Sequence, residues 1–274
     1  MYLLARVKRY VKNLFCTIED IDSPLDGDPG QYHGLCSVCG WVGCFERNHR
    51  SLREGFACKV CNSSLRYRGQ ADVLLKLFGQ SGIRCLAELV KKKPFRSLKI
   101  FEPGVIGPLR PLLSKVEMYS QSYYWEDVKL GGVRDNIGCQ NLETLTFEDN
   151  NFDLIITSDI FEHIRRPWDA FEEIFRVLKP GGYHVFSIPV QKPLRENSVE
   201  RVDTTGDVDR MLVEPHYHSA PGGGRALVYT DFGSDIIARL ADLGFITTQY
   251  SPLNTNVNVA KLVTFSSLKP EVNV

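Results

Sequence analysis

From about residue 70 onward the chain alternates between apolar runs of helical period and short apolar runs typical of strands. ADVLLKLF begins a helix, SLKIFE reads as a strand, and VIGPLRPLL starts a second helix. VEMYSQSYY is strand-like, FDLIITSD is a buried strand, and PWDAFEEIFRVL is an amphipathic helix with Phe171, Ile174, Phe175 and Leu178 on one stripe. That helix stops at KPGG, where Pro180 cannot continue it and Gly181 and Gly182 turn the chain, and YHVFSIPV follows as another strand. Strands alternating with helices predict a parallel sheet covered on both faces, with ligands at the carboxyl ends of the strands. The fold class expected is therefore α/β. A chain of 274 residues with 43% hydrophobic content can bury a large core, enough for one main domain and a small accessory unit.

Six of the chain's eight cysteines lie ahead of this alternation and carry a different signal. Four of them form CSVC (Cys36, Cys39) and CKVC (Cys58, Cys61). A CxxC turn brings two thiolates to one side of a tight loop, and a second turn about twenty residues later completes a tetrahedron of sulfur around zinc. This predicts a zinc ribbon over residues 31–68, with Gly40, Gly43, Trp41 and Phe45 supplying turns and apolar contacts, and Cys44 as a stand-in ligand. Four thiolates close the coordination shell, so the Zn2+ would be structural. Cys16, Cys85 and Cys139 read as small apolar residues.

Lys plus Arg and Asp plus Glu both number 33, so no global field attracts a polyanion, and nucleic acid is not the expected partner. Locally, Arg47, Arg50, Arg53, Lys59, Arg66 and Arg68 face only Glu46 and Glu54, which suits either an acidic substrate group or a solvated charged face. Residues 1–30 open with MYLLARVKRYVKNLF, whose basic residues interrupt every apolar run, so neither a signal peptide nor a membrane span is expected and the chain reads as cytoplasmic. Leu3, Leu4, Val7, Val11 and Phe15 fall at near-helical spacing. The segment suits a helix packed on its own domain or on a partner subunit, with peripheral membrane contact as the alternative; the sequence carries no signal of oligomeric state.

At the end of the SLKIF run lies FEPGVIGP. Its glycines let backbone approach a ligand, and Glu102 adds a fixed negative charge better suited to a cationic or hydroxyl-rich ligand than to a pyrophosphate. In order, EPGVIG, NLETLTF, FDLIITSDIFEHI and FEEIFRVLKPGGYHVFSIP resemble the class I S-adenosylmethionine-dependent methyltransferases (methyltransferase type 11-like) over roughly residues 97–190. The CxxC pairs followed by SSLRYR resemble a zinc-ribbon-bearing subset of them. The resemblance implies a Rossmann-like seven-stranded sheet over residues 69–274 whose last strand is antiparallel, which DIIARLADLGF, FITTQYS and AKLVTFSSL would close. It also implies roles for S-adenosylmethionine binding. Glu102, Gly104 and Gly107 would surround the methionine part and ribose; Asn141 and Leu142 would border the adenine; Ser158 and Asp159 would face the reacting end. Against the family pattern, Val105 and Ile106 separate the glycines, Ser122 and Tyr123 stand where a ribose carboxylate is usual, and Asn141 replaces an aspartate.

An alcohol acceptor needs a base, and the candidates are Asp159, His163 and His218, with His216 beside them and His184 reading as structural inside its strand. If EPHYHS is extended, His216 and His218 face one side; with no carboxylate at obvious spacing, substrate contact suits them better than a second metal. Gly222 to Gly224 suit a lid hinge or a plain connector. Three readings follow: an O-methyltransferase acting on a sugar, glycan or small metabolite; an RNA methyltransferase gripping through the ribbon, which lacks the Asn/Asp-Pro-Pro-aromatic signature because SDIF stands there; and a non-catalytic module of the same fold.

Overall fold

The computed structural model describes residues 30–49, 51–189, 195–219, 224–250 and 263–271. The N-terminal basic segment up to residue 29, Cys16, Gly222 and Gly223 lie outside the described residues.

Two short strands, β1 (Gln31–Leu35) and β2 (Val42–Glu46), pair antiparallel around the first cysteine turn. The chain then enters α1 (Leu65–Phe78), followed by the short α2 (Leu86–Leu89). The alternation expected from the sequence comes next: β3 (Lys99–Pro103), α3 (Arg110–Leu113), β4 (Met118–Tyr123), β5 (Val133–Arg134), β6 (Ile137–Cys139), β7 (Phe152–Ser158), α4 (Pro167–Val177) and β8 (Leu178–Ser187). Small antiparallel pairs follow, made by β9 (Val199–Glu200), β10 (Val202–Asp203), β11 (Arg210–Met211), β12 (Tyr217–Ser219), β13 (Arg225–Leu227) and β14 (Thr230–Asp231). Helix α5 (Ile236–Asp242) and the hairpin β15 (Ile246–Tyr250) and β16 (Thr264–Leu268) complete the chain.

The central sheet has eight strands in the order β15-β16-β8-β7-β3-β4-β6-β5. Strands β6, β4, β3, β7 and β8 run parallel, and β16 enters antiparallel to β8. The last strand is thus antiparallel, as the resemblance implies, and the strand beyond the expected seven is the two-residue β5, which folds back on β6. From β3 the chain steps outward to β4 and β6, then returns to lay β7 on the other side of β3. That reversal makes the crevice above β3 and β7 the topological switch point.

Alternation along the strands divides the core into two layers, because successive side chains point to opposite faces. Ile100, Leu154, Ile156 and Val185 face one layer with Leu74, Leu86, Phe95 and Leu113. Phe101, Ile155 and Phe186 face the other with Phe171, Ile174, Ile236 and Leu240. Helix α4 starts with Pro167 in its first turn, where a missing N–H costs nothing, and buries Ala170, Phe171, Ile174 and Val177. Phe171 stacks on Phe161 at 3.9 Å between centroids, and burying such a ring contributes about 2–3 kcal/mol.

Three expectations change in detail. The helix expected from VIGPLRPLL shrinks to Arg110–Leu113, because Gly107 and Pro108 hold the preceding residues out of it. KPGG does not separate two elements: β8 begins at Leu178 and runs through Gly181, which takes φ +80° where the pairing with β7 slips register. Helix α1 begins at Leu65, so one continuous helix crosses the expected boundary at 68/69. Tyr32, Phe45 and Phe56 of the cysteine-bearing unit share the core layer of Ile100 and Leu154. No helix among the described residues is long and apolar enough to cross a membrane.

Candidate active site

The two cysteine turns have the same local geometry. Gly40 N donates to Cys36 O (2.8 Å) and Asn62 N to Cys58 O (2.9 Å), with Gly40 and Asn62 in the left-handed region at φ +82° and +56°. This turns Cys36, Cys39, Cys58 and Cys61 toward one point. Their sulfurs all lie within 4.8 Å of one another, with Cys36–Cys61 at 3.7 Å and Cys39–Cys58 at 3.6 Å. A tetrathiolate zinc with bonds of about 2.3 Å has edges of about 3.8 Å, so the donor set and its spacing fit that ion. Cys44 instead donates to Gln31 Oε1 (3.4 Å), and Cys85 and Cys139 are buried.

At the switch point, β3 ends in Glu102 and Pro103 beside Gln121 and Ser122 of β4. Gly104 takes φ +106°, and its N–H donates to Ser122 O (2.7 Å). The Glu102 carboxyl lies beneath this loop: Tyr119 Oη donates to its Oε2 (2.6 Å), Arg110 Nη2 lies 3.5 Å from its Oε1, and Arg110 Nε donates to Tyr119 Oη (3.0 Å). Burial raises the Glu102 pKa, with Arg110 and Tyr119 opposing it. Gly107 packs over Tyr67 and Glu102, 3.7 and 3.8 Å from where its Cβ would stand. At the far side, Asn141 Oδ1 accepts from Glu143 N (3.0 Å), and Leu142 is buried in the layer of Phe101. Asp127 pairs with Arg134 at 2.6 Å, away from the end of β4.

Strand β7 ends in Ser158 and Asp159. Ser158 Oγ donates to Gln70 Oε1 (2.6 Å), and Gln70 Nε2 to Thr157 O (2.8 Å), so α1 clamps the strand end. Asp159 adopts φ +50° and receives Arg53 Nη2 (2.6 Å) and Ser187 Oγ (2.9 Å) on Oδ1, while Arg66 Nε lies 3.2 Å from Oδ2. Burial pushes its carboxyl up, but Arg53, Arg66 and these hydrogen bonds outweigh burial and hold it below the usual carboxylate range. Arg66 also donates to Glu54 (2.6 Å) and stacks over Tyr67 (4.2 Å). Arg68 is spent inside the cysteine-bearing unit, on Phe56 O (2.8 Å) and over the Phe45 ring (3.9 Å). Much of the local basic excess is thus turned inward.

Beyond β7, the single turn Phe161–His163 presents Glu162 and His163. His163 Nδ1 meets Leu227 O (2.8 Å), and its Nε2 lies 3.2 Å from His218 Nδ1 on β12. Glu162 Oε1 is 3.5 Å from His163 Nε2 and 3.6 Å from His218 Nδ1, and the Glu162 carboxylate raises the His218 pKa against partial burial. His216 and His218 have ring centroids 5.1 Å apart. His184 is fully buried, with Nε2 2.9 Å from Thr157 Oγ1.

The predicted residues thus fall into four groups: Glu102, Gly104, Gly107 and Ser122 around the β3 loop; Asn141 and Leu142 after β6; Ser158 and Asp159 at the β7 end; and His163 with His218 next to it. Arg53, Arg66, Gln70, Arg110 and Glu162 were not singled out for this site from the sequence, although Arg66 and Gln70 stand one turn apart on α1. Among the described residues, Arg53 Nε, Arg66 Nη1, Arg110 Nη1 and both Glu162 oxygens in these groups are buried without a hydrogen-bond partner, as are Tyr32 Oη, Arg68 Nε, Trp168 Nε1, His184 Nδ1 and Arg201 Nε elsewhere. The three arginine nitrogens are donors that an anionic ligand group would satisfy, which fits the carboxylate of an amino-acid-bearing nucleoside.

Residues 120–186 match the family described as methyltransferase domain. Among curated proteins, the chain is 40% identical over 60 residues to a malonyl-[acyl-carrier protein] O-methyltransferase of Marinomonas sp. (strain MWYL1), covering 22% of each chain. It is 44% identical over 46 residues to an uncharacterized methyltransferase of Mycobacterium tuberculosis, covering 17% of this chain and 18% of that one. The matched segment thus spans about a fifth of these relatives' length. A solved S-adenosylmethionine-dependent methyltransferase from Mesorhizobium loti aligns with TM-score 0.41 and 15% identity over 63% of this chain and 91% of that one. The matched segment runs from β4 to β8 through the switch point of a doubly wound sheet closed by an antiparallel strand, and over residues 120–186 the chain is similar to the methyltransferase domain family.

Proposed function

We propose that the protein transfers a methyl group from S-adenosylmethionine to a hydroxyl of a sugar, glycan or other small metabolite, and that the four-cysteine unit holds a structural zinc. The observation that carries this reading is the family match over residues 120–186, which takes in Ser122, Asn141, Leu142, Ser158 and Asp159, together with the unpaired buried nitrogens of Arg53 and Arg66 beside Asp159. When bound, the cofactor supplies a methyl on a positively charged sulfur, so the protein needs mainly to orient and to exclude water.

Glu102 and Tyr119 hold Arg110 in place, leaving its Nη1 for the cofactor's carboxylate. Gly104 and Gly107 let the backbone approach, Ser122 borders the ribose, and Asn141 and Leu142 flank the adenine. Ser158 and Asp159 form the floor at the reacting end. Asp159, already paired with two arginines, keeps them in place rather than acting as a base. Bound there, the cofactor would give its methyl group to the acceptor oxygen and keep the electron pair of the broken carbon–sulfur bond on sulfur. The hydroxyl proton leaves at the cluster of Glu162, His163 and His218. Inward use of Arg53, Arg66 and Arg68 favours a small acceptor over RNA, since phosphate contacts need exposed cations.

The test separates binding from chemistry. His218→Ala is expected to lower methyl transfer to a panel of polyhydroxylated acceptors at least a hundredfold, while S-adenosylmethionine affinity by calorimetry changes less than threefold. Equal loss of both, or loss of neither, contradicts the assignment.

A further inference from the structure

We propose that Glu162, His163 and His218 form a binding site for one divalent first-row transition-metal ion beside the carboxyl end of β7. Their facing atoms make a nearly equilateral triangle: His163 Nε2 to His218 Nδ1 3.2 Å, Glu162 Oε1 to His163 Nε2 3.5 Å, and Glu162 Oε1 to His218 Nδ1 3.6 Å. A point equidistant from the three lies about 2 Å from each, the ordinary bond length from such an ion to imidazole nitrogen or carboxylate oxygen.

Three features point to a ligand rather than to a hydrogen-bonded cluster. Glu162 is 2% exposed, yet neither carboxylate oxygen has a hydrogen-bond partner. Its nearest polar neighbours are the two imidazoles at 3.5 and 3.6 Å, and a cation at the centre of the triangle supplies the close positive partner that a buried carboxylate needs. His163 Nδ1 is occupied by Leu227 O at 2.8 Å, which fixes the proton there and leaves the Nε2 lone pair aimed at the centre, the outer contact that metal-bound histidines make. Finally, the ligands are held by separate elements: Tyr229 N donates to Glu162 O (2.7 Å), Val228 N to His216 O (2.9 Å), and His218 pairs with Ala226 across β12 and β13, so the strand pair and the turn are mutually braced.

Two imidazoles and one carboxylate suit manganese, iron, cobalt or zinc and leave coordination positions open, whereas the four thiolates of the ribbon select a soft, closed-shell site. His163 and His218 remain partly exposed, so an ion held between them would be reachable from solvent. An ion there would lower the pKa of an acceptor hydroxyl, so that the proton lost at this cluster passes to solvent instead of to an imidazole, which favours acceptors with a second oxygen beside the one methylated. That role rests on the methyl-transfer reading; the site itself does not.

The experiment uses Mn2+ alone, which thiolates bind poorly, so ribbon zinc stays in place. The full chain, dialysed against a mild carboxylate chelator, is titrated with Mn2+ and the free ion is read by electron paramagnetic resonance. The expected result is one Mn2+ per chain, with affinity reduced at least tenfold in both Glu162→Gln and His218→Ala and within threefold of wild type in His216→Ala. Near-UV circular dichroism checks the fold, and the nearly isosteric Glu162→Gln carries the test if the alanine variant unfolds. Wild-type protein that takes up no Mn2+ at millimolar concentration, or a Glu162→Gln variant that binds as wild type does, overturns the proposal. Neither cofactor nor acceptor is present, so failure here leaves the methyltransferase reading standing, and Mn2+ uptake without S-adenosylmethionine binding removes only the latter.

Discussion

Asp159→Asn deletes one charge and almost nothing else. Asparagine has the same shape, and it accepts the left-handed φ of +50° found here. What it leaves behind is costly: Arg53 and Arg66, with side chains 10% and 11% exposed, lose the carboxylate they share, itself 18% exposed. Removing one partner of a buried ion pair costs about 3–5 kcal/mol. The amide oxygen still accepts one hydrogen bond, which returns about 1 kcal/mol, and Glu54 still holds Arg66. The net loss should therefore be about 2–4 kcal/mol, measured as a fall in urea midpoint at unchanged slope. Because Arg53 lies between the two cysteine turns and Asp159 ends β7, Arg53→Met combined with Asp159→Asn should cost less than the sum of the two by at least about 1 kcal/mol. A loss below about 1 kcal/mol for the single variant, or additivity in the pair, refutes the picture of a buried charge cluster locking ribbon to sheet.

Other consequences are open to direct measurement. The His184 pKa is lowered to about 3 by burial, so the unfolded chain binds a proton that the folded one rejects. Its contribution is complete above the unfolded value near 6.5 and fades as pH falls toward 3, by about 1.4 kcal/mol per pH unit; stability curves of wild type and His184→Asn between pH 6 and 4 should differ by that slope, and parallel curves contradict it. Stripping zinc with a strong chelator should release one ion per chain and lower the melting temperature of the whole protein in one transition, because Phe45 and Phe56 share the core layer of Ile100; an unchanged melting temperature contradicts the ribbon reading. Gly104→Ala forces a Cβ onto φ +106° and should cost about 1–3 kcal/mol while weakening cofactor binding in calorimetry; an alanine variant of wild-type stability and affinity argues against the loop's role.

The strand and helix alternation was legible because each element carries its own period, as Leu154, Ile155 and Ile156 do by pointing in turn to opposite core layers. The convergence of Cys36, Cys39, Cys58 and Cys61 was legible for a similar reason: CxxC is a local turn with a local geometry. The site's polar partners were not. Arg53 reaches Asp159 across 106 residues, and Glu162 meets His218 only because β12 folds back beside the turn after β7. The sequence shows no carboxylate at ordinary ligand spacing from His216 and His218; the one that approaches His218 stands directly before His163, on a turn tight enough for neighbours to converge. Likewise Glu102 reads as a free ligand for the cofactor, whereas Tyr119 and Arg110 engage it beneath the loop.

Titration of the wild-type protein with S-adenosylhomocysteine in a calorimeter bears on the central claim without needing to know the acceptor. The account predicts one site per chain with micromolar affinity, weakened at least tenfold when Arg110→Met removes the spare donor beside Gly104. Absence of heat at high protein concentration, together with a crystal structure in which the product analogue avoids the crevice between Gly104 and Asp159, would contradict it.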